Sequence, residues 1–201
     1  MRRHLFLCLV LVLTFVAAGP VATTPQSSPK LMVDYVLEYL KIFPNLEFAD
    51  VMSTMIKESG GNPKCKTWEP KVNEFSYGPL QILGSTARVK DYKGNLDELC
   101  SWNYGLYYGM SFLSDCKDRA AKIVEKDPVA RLLTTSAKER KIRSHMHAIY
   151  NAGRVCWKKG HEGEKYTNHD YVVECEYLYW RYKKFDYLSI GKSPESKGGK
   201  K

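Results

Sequence analysis

The apolar positions of this chain recur mostly at helical spacing. Between Phe48 and Ser59, the residues Phe48, Val51, Met52, Met55 and Ile56 form one stripe, and Glu47, Asp50, Ser53, Thr54 and Lys57 take the other side. That is the period of an amphipathic helix. Leu31 to Phe43 reads as an earlier helix ended by Pro44, and Asn45 is placed to cap the second helix, with Glu47 in its first turn. Ser85 opens a short helix through Val89, and Gly94 marks a turn. Ser101 to Cys116 reads as a long helix rich in aromatic residues. Asp127-Pro128 resembles an N-cap followed by Pro at the first helical position. Ser136 and Glu139 form a capping box that starts a helix towards Tyr150, and Asp170 leads into a last helix through Cys175 and Tyr182. No alternating strand run stands out, and a short hairpin between Trp68 and Tyr77 is the one strand element the sequence allows for. The expected fold class is therefore mainly α, as a single domain with that small hairpin.

The ends of the chain differ in composition from the middle. Residues 1–18 have a basic start, an apolar run from Leu5 to Ala18 and small residues at its end, and read as a secretory signal peptide. Residues 19–30 are rich in Pro, Ser and Thr and read as a flexible leader, residues 31–190 as the domain, and residues 191–201 as a disordered Lys-rich tail. The expected location is secreted or periplasmic, as a monomer with no stable membrane insertion once the signal is removed. An uncleaved membrane anchor is the alternative for the apolar run.

The formal net charge is +9. Part of it belongs to Arg2, Arg3 and the tail, so the folded part is more mildly basic. A basic surface favours anionic polymers, of which bacterial wall and nucleic acid are two, or serves solubility alone. No helix carries the dense Arg/Lys face of a nucleic-acid binder, and no nucleic-acid partner is expected. Beyond the leader lie Cys65, Cys100, Cys116, Cys156 and Cys175. Export makes disulfides the expectation, with one thiol left over, and one bridge is expected to tie the loop at Cys65 to a helix. Paired metal-ligand spacing is missing: His145 and His147 stand two apart on a helix and face different ways, and no metal or other cofactor is expected.

Glu58 is the first candidate for chemistry. At about 100° per residue it falls within roughly 20° of Val51, at the edge of the apolar stripe. A carboxyl there loses hydration, which raises its pKa towards the range useful to a general acid. The plainer alternative is a last-turn Glu that swings out to water. Downstream, Gly78-Pro79 brings backbone close to a neighbour, and Gln81 offers a donor and an acceptor, either for a sugar or for fixing its own loop. Tyr150 and Asn151 precede Ala152-Gly153, a helix end that either lines a cleft or merely caps the helix.

Four segments taken together carry a resemblance. Glu58-Ser59-Gly60-Gly61-Asn62-Pro63, Ser76-Tyr77-Gly78-Pro79-Leu80-Gln81-Ile82, Thr86-Ala87-Arg88 and Ala148-Ile149-Tyr150-Asn151-Ala152-Gly153 resemble, in order and spacing, the soluble lytic transglycosylases, relatives of the goose-type lysozymes. The resemblance runs from about Asn45 to Arg181. It implies a lysozyme-like fold and cleavage of the β-1,4 bond between N-acetylmuramic acid and N-acetylglucosamine in peptidoglycan glycan strands. Glu58 would be the single acid and base, leaving 1,6-anhydromuramoyl ends. It also implies that Ser76, Gly78, Gln81, Tyr150, Asn151 and Tyr171 line the sugar cleft or support Glu58, with Tyr150 hydrogen-bonded near the Glu.

The departures are specific. Pro79 and Leu80 stand where the family has Leu and Met, Gly105 where it has Asn, Ile149 where it has Ala, and Asp115 to Lys138 is an insert. No second acid falls within the matched segments, but Glu69, Glu74, Asp91 and Asp97 lie nearby and keep a water-consuming, goose-type muramidase open. A catalytically inactive wall-binding protein is the remaining alternative.

Overall fold

The computed structural model describes residues 31–155 and 166–184. The expected signal peptide, leader and tail, and Cys156, lie outside the described residues. Six α-helices are present among them: α1 (Met32–Leu40), α2 (Phe48–Ser59), α3 (Gly84–Val89), α4 (Tyr104–Lys126), α5 (Thr135–Ala152) and α6 (His169–Lys183). One antiparallel sheet has the order β1 (Lys66–Glu69), β2 (Glu74–Tyr77), β3 (Ile82–Leu83). Short 3-10 turns occupy Leu96–Leu99 and Ala130–Leu132. The fold is mainly α, as the spacing predicts, and no helix among the described residues is long and apolar enough to cross a membrane.

Helix α2 is enclosed on more than one side. Its apolar stripe joins the main core, where Val51, Met52 and Met55 meet Val36 and Tyr39 of α1, Leu106, Met110 and Leu113 of α4, and Met146 and Ile149 of α5. The opposite side is buried as well. Asp50, Ser53 and Thr54, which the sequence pattern assigns to solvent, are all fully buried. Most of their polar atoms are matched: Asp50 Oδ2 accepts from Lys117 Nζ at 2.6 Å and from the Glu47 amide at 3.0 Å, and Thr54 donates to the Asp50 carbonyl at 2.9 Å, while Asp50 Oδ1 has no hydrogen-bond partner among the described residues. A buried carboxylate left without such partners would cost several kcal/mol.

Three boundaries differ from expectation for physical reasons. Asn45 does not cap α2; its side chain reaches α4, donating to Asp118 Oδ1 at 2.8 Å and accepting from Ser114 Oγ at 2.8 Å. Glu47 takes the cap position instead. Helix α4 runs on through the supposed insert as far as Lys126, and Asp127 closes it rather than opening a new helix. Asp127 then accepts from the Val129 amide at 2.9 Å and from Lys141 Nζ at 2.5 Å. Helix α5 is capped by Thr134, two residues before the expected Ser136.

The cysteines correct a firmer expectation. Cys65, Cys100, Cys116 and Cys175 are free thiols, so the expected disulfide stabilisation, including a bridge from Cys65, is not found among the described residues. Cys116 and Cys175 are wholly buried, and Cys100 Sγ rests 3.6 Å from the Cys65 carbonyl oxygen.

Two glycines of α4 let neighbouring backbone come close to the helix. A Cβ on Gly105 would stand 2.0 Å from the Leu99 carbonyl oxygen, and one on Gly109 would stand 2.6 Å from Leu80. The segment Gly78-Pro79-Leu80 therefore lies against helix backbone, closer than any side chain there would allow. Two side-chain hydrogen bonds fix it: Ser59 Oγ donates to the Pro79 carbonyl at 2.7 Å, and Tyr150 OH to the Leu80 carbonyl at 2.6 Å.

Candidate active site

A cleft of about 380 Å³ opens between the end of α2, the β-sheet and the end of α5. Glu58, Glu69 and Lys71 give it charge, Ser76, Gln81, Thr86, Tyr150 and Asn151 give it hydrogen-bonding groups, and Val72, Ile82 and Phe112 give it apolar walls. Residues from far apart in the chain meet there because α2, α4 and α5 share one core.

Glu58 stands in the last turn of α2, which Gly60 ends at φ +64°. The residue keeps some surface on the cleft, but its carboxyl is enclosed, with Tyr171 OH donating to Oε1 at 2.5 Å. Burial pushes the carboxyl up to about 7, the Tyr171 bond pulls the other way, and the charge of Glu69 pushes it up further. The carboxyl thus holds a proton close to neutral pH, next to open space that a substrate can fill. That is the state a general acid needs. Burial also raises Tyr171 well above the usual phenol range, so Tyr171 stays the donor.

The expected site residues separate into two groups. Glu58, Ser76, Gln81, Tyr150 and Asn151 line the cleft. Gly78 does not; it is buried behind the wall at φ +74°. Tyr171 does not line it either, and it takes the part that the resemblance gives to Tyr150. The reason is packing: α6 lies along α2 and brings Tyr171 onto Glu58, while the Tyr150 hydroxyl is spent on the Leu80 carbonyl. Gln81 is also engaged within its own loop. Its amide nitrogen donates to the carbonyls of Cys65 at 3.1 Å and Gly78 at 2.8 Å, and its oxygen accepts from Ser76 at 2.9 Å. These bonds hold a backbone at φ +46°, a conformation that costs a non-glycine residue on the order of 1 kcal/mol.

Of the acids near the matched segments, Glu69 alone lines the cleft. Lys71, Val72 and Phe112 also line it without having been singled out as cleft residues. The register of the hairpin puts Glu69 there: Thr67 pairs with Ser76 and Glu69 with Glu74, which sets all four on one face. Glu74 is taken by α3, accepting from the Ser85 amide at 2.9 Å and from Ser85 Oγ at 2.6 Å.

Comparison of the chain with family models, with curated proteins and with solved structures returned no match.

A pH profile tests the state of Glu58. An acid that titrates at about 7 makes kcat/KM fall tenfold per unit of pH above that point. Tyr171→Phe removes a bond that favours the carboxylate, so the limb should move up by about one pH unit. A profile flat from pH 5 to 9, or a limb that moves down in the variant, would remove Glu58 from the acid role.

Proposed function

We propose that this chain cleaves the β-1,4 bond between N-acetylmuramic acid and N-acetylglucosamine in peptidoglycan, as a lysozyme-like lytic transglycosylase acting outside the cell. The observation that carries the reading is the enclosed carboxyl of Glu58, held by Tyr171 at the head of a cleft with both polar groups and apolar walls. The four segments that resemble the transglycosylases supply the substrate. Three of them, around Glu58, Ser76 to Ile82 and Tyr150 to Gly153, line the cleft, and Thr86 brings in the fourth.

In this scheme Glu58 gives its proton to the glycosidic oxygen. The bond from that oxygen to the anomeric carbon breaks, and the N-acetylglucosamine end leaves as an alcohol. Glu58, now a carboxylate, takes the proton of the muramoyl 6-hydroxyl as that oxygen closes on the anomeric carbon. The enzyme returns to its protonated state, and no water is consumed. Enclosure serves both halves, because it keeps the proton on Glu58 at the start and strengthens the base once charge develops. Asn151, exposed at the cleft edge, is placed to meet the sugar's polar substituents.

The direct experiment is digestion of purified peptidoglycan followed by mass spectrometry of the products. Muropeptides with 1,6-anhydro ends are the expected result. Intact glycan after prolonged digestion by folded protein would end the enzymatic reading and leave wall binding.

A further inference from the structure

Helix α6 packs on α2 and α5 with one side, and its other side is uncovered among the described residues. On that outer side stand Val173, Tyr177 and Trp180, which are 50 %, 66 % and 50 % exposed. A single apolar residue on a surface needs no explanation. Three large ones at i, i+4 and i+7 form a stripe, the pattern by which a helix seats on a partner. The Trp180 ring is held in place there, edge to face with Tyr179 at 5.3 Å and 5.4 Å from the Arg143 guanidinium. Charged residues accompany the stripe in a set order. Asp170 and Glu174 stand in the first half of α6, and Arg181 and Lys184 at its end, all four exposed. Asp170, Arg181 and Lys184 have no ion pair among the described residues, and Glu174 has one, with Lys57. At about 100° per residue these side chains share an arc of roughly 120° centred on Tyr177. Val173 and Trp180 lie to one side of Tyr177, Glu174 and Arg181 to the other, and Asp170 and Lys184 within about 20° of its line.

We infer that this face of α6 binds a second copy of the chain, the two helices lying antiparallel about a two-fold axis beside Tyr177. A two-fold of this kind turns the stripe end for end and leaves each flank on its own side, so apolar meets apolar and charge meets charge. At a rise of about 1.5 Å per residue, Val173 lies about 6 Å before Tyr177 and Trp180 about 4.5 Å after it. Each Val173 therefore comes level with the partner's Trp180 to within about 1.5 Å. By the same count Glu174 comes level with the partner's Arg181, and Asp170 with the partner's Lys184. Each Tyr177 meets its own copy on the axis. A parallel pair would set carboxylate beside carboxylate and cation beside cation, so the charge order selects the antiparallel one. The cleft stays open in such a pair, because α6 gives it no lining residue. The sequence alone suggests a monomer; the stripe and its charge order are what point to a pair. This inference goes beyond the proposed cleavage and does not depend on it.

The test is sedimentation equilibrium of the full-length chain and of charge-reversed variants, with circular dichroism to show that each variant keeps the fold. One helix face from each partner makes a small interface, so the parent should pair with a dissociation constant of about 1 to 100 µM. Tyr177→Glu sets two carboxylates on the axis and should weaken pairing more than about tenfold. Glu174→Arg and Arg181→Glu should each weaken it about tenfold, because symmetry turns both attractions into repulsions. An equal mixture of those two variants should recover the parent's affinity, since the first then carries two cations at these positions and the second two carboxylates. Only an antiparallel pair of α6 helices behaves so. A parent that stays monomeric at about 1 mM would overturn the inference and leave the stripe to the chain beyond Lys184 or to a different protein. A dimer that tolerates every variant, or single variants whose mixture stays monomeric, would overturn it as well.

Discussion

Glu58→Gln is expected to lower glycan cleavage by about a thousandfold or more while keeping the fold, because it removes the enclosed carboxyl whose pKa burial pushes up to about 7. Gln keeps the volume, and its amide oxygen can still accept from Tyr171. Stability should move in the opposite direction. In the folded chain Glu58 holds its proton to about 7, against 4.5 for the ordinary carboxyl. Between those values the folded state binds more protons than the unfolded one, so its contribution to stability falls as pH rises through the window. At pH 8 the ionised, enclosed Glu58 costs up to about 3 kcal/mol. The Gln variant lacks that cost and should be more stable than the parent at pH 8 and close to it at pH 4. Denaturation at both pH values, beside a rate measurement, separates loss of chemistry from loss of fold. Near-parent turnover, or a variant less stable at pH 8, would end the assignment.

The second large effect is steric. The Leu99 carbonyl oxygen lies between two glycines, and a Cβ on Gly78 would stand 2.1 Å from it. Gly78 is also at φ +74°. Gly78→Ala and Gly105→Ala should each lower stability by more than about 3 kcal/mol or prevent folding, since backbone on both sides cannot give way. Gly60→Ala supplies the comparison, because Gly60 has φ +64° with nothing within 4 Å of its would-be Cβ. That variant should lose only about 1 kcal/mol, the cost of the backbone conformation alone. Chemical denaturation of the three would show the difference, and equal losses would mean that the close approach is relieved cheaply.

Much of this was legible in the sequence because it depends on local period and local caps. The apolar stripe of α2 put Glu58 at a buried edge, Gly153 marked the end of α5, where it takes the left-handed conformation, and the hairpin fell where Trp68 to Tyr77 suggested. What stayed hidden depends on partners far along the chain. Asp50 and Thr54 read as a solvent face because their polar atoms say so, and only Lys117 on α4 and the contact of Thr54 with His147 on α5, at 3.5 Å, make their burial affordable. Asn45 reads as a cap until α4 supplies other partners. Tyr150 and Tyr171 exchange expected parts because the packing of α6 on α2 has no local signature. Glu69 sits next to Pro70, which obscures the alternation that sets it on the cleft face. The cysteines mislead for another reason: an expectation of export carried with it an expectation of bridges, whereas the positions of the thiols depend on tertiary placement.

The enclosure of α2 bears on how this chain can change over generations. Seven consecutive residues, Ala49 to Met55, are buried, so nearly every substitution there disturbs packing or strands a polar atom, and the helix that carries Glu58 has little room to drift. The hairpin turn at Lys71 and Val72 and the α5 end at Asn151 to Gly153 are exposed, yet they line the same cleft. On the proposed reading, inherited variation in which glycan is accepted should therefore accumulate at those two rims, while Glu58 and its helix stay constant beneath them.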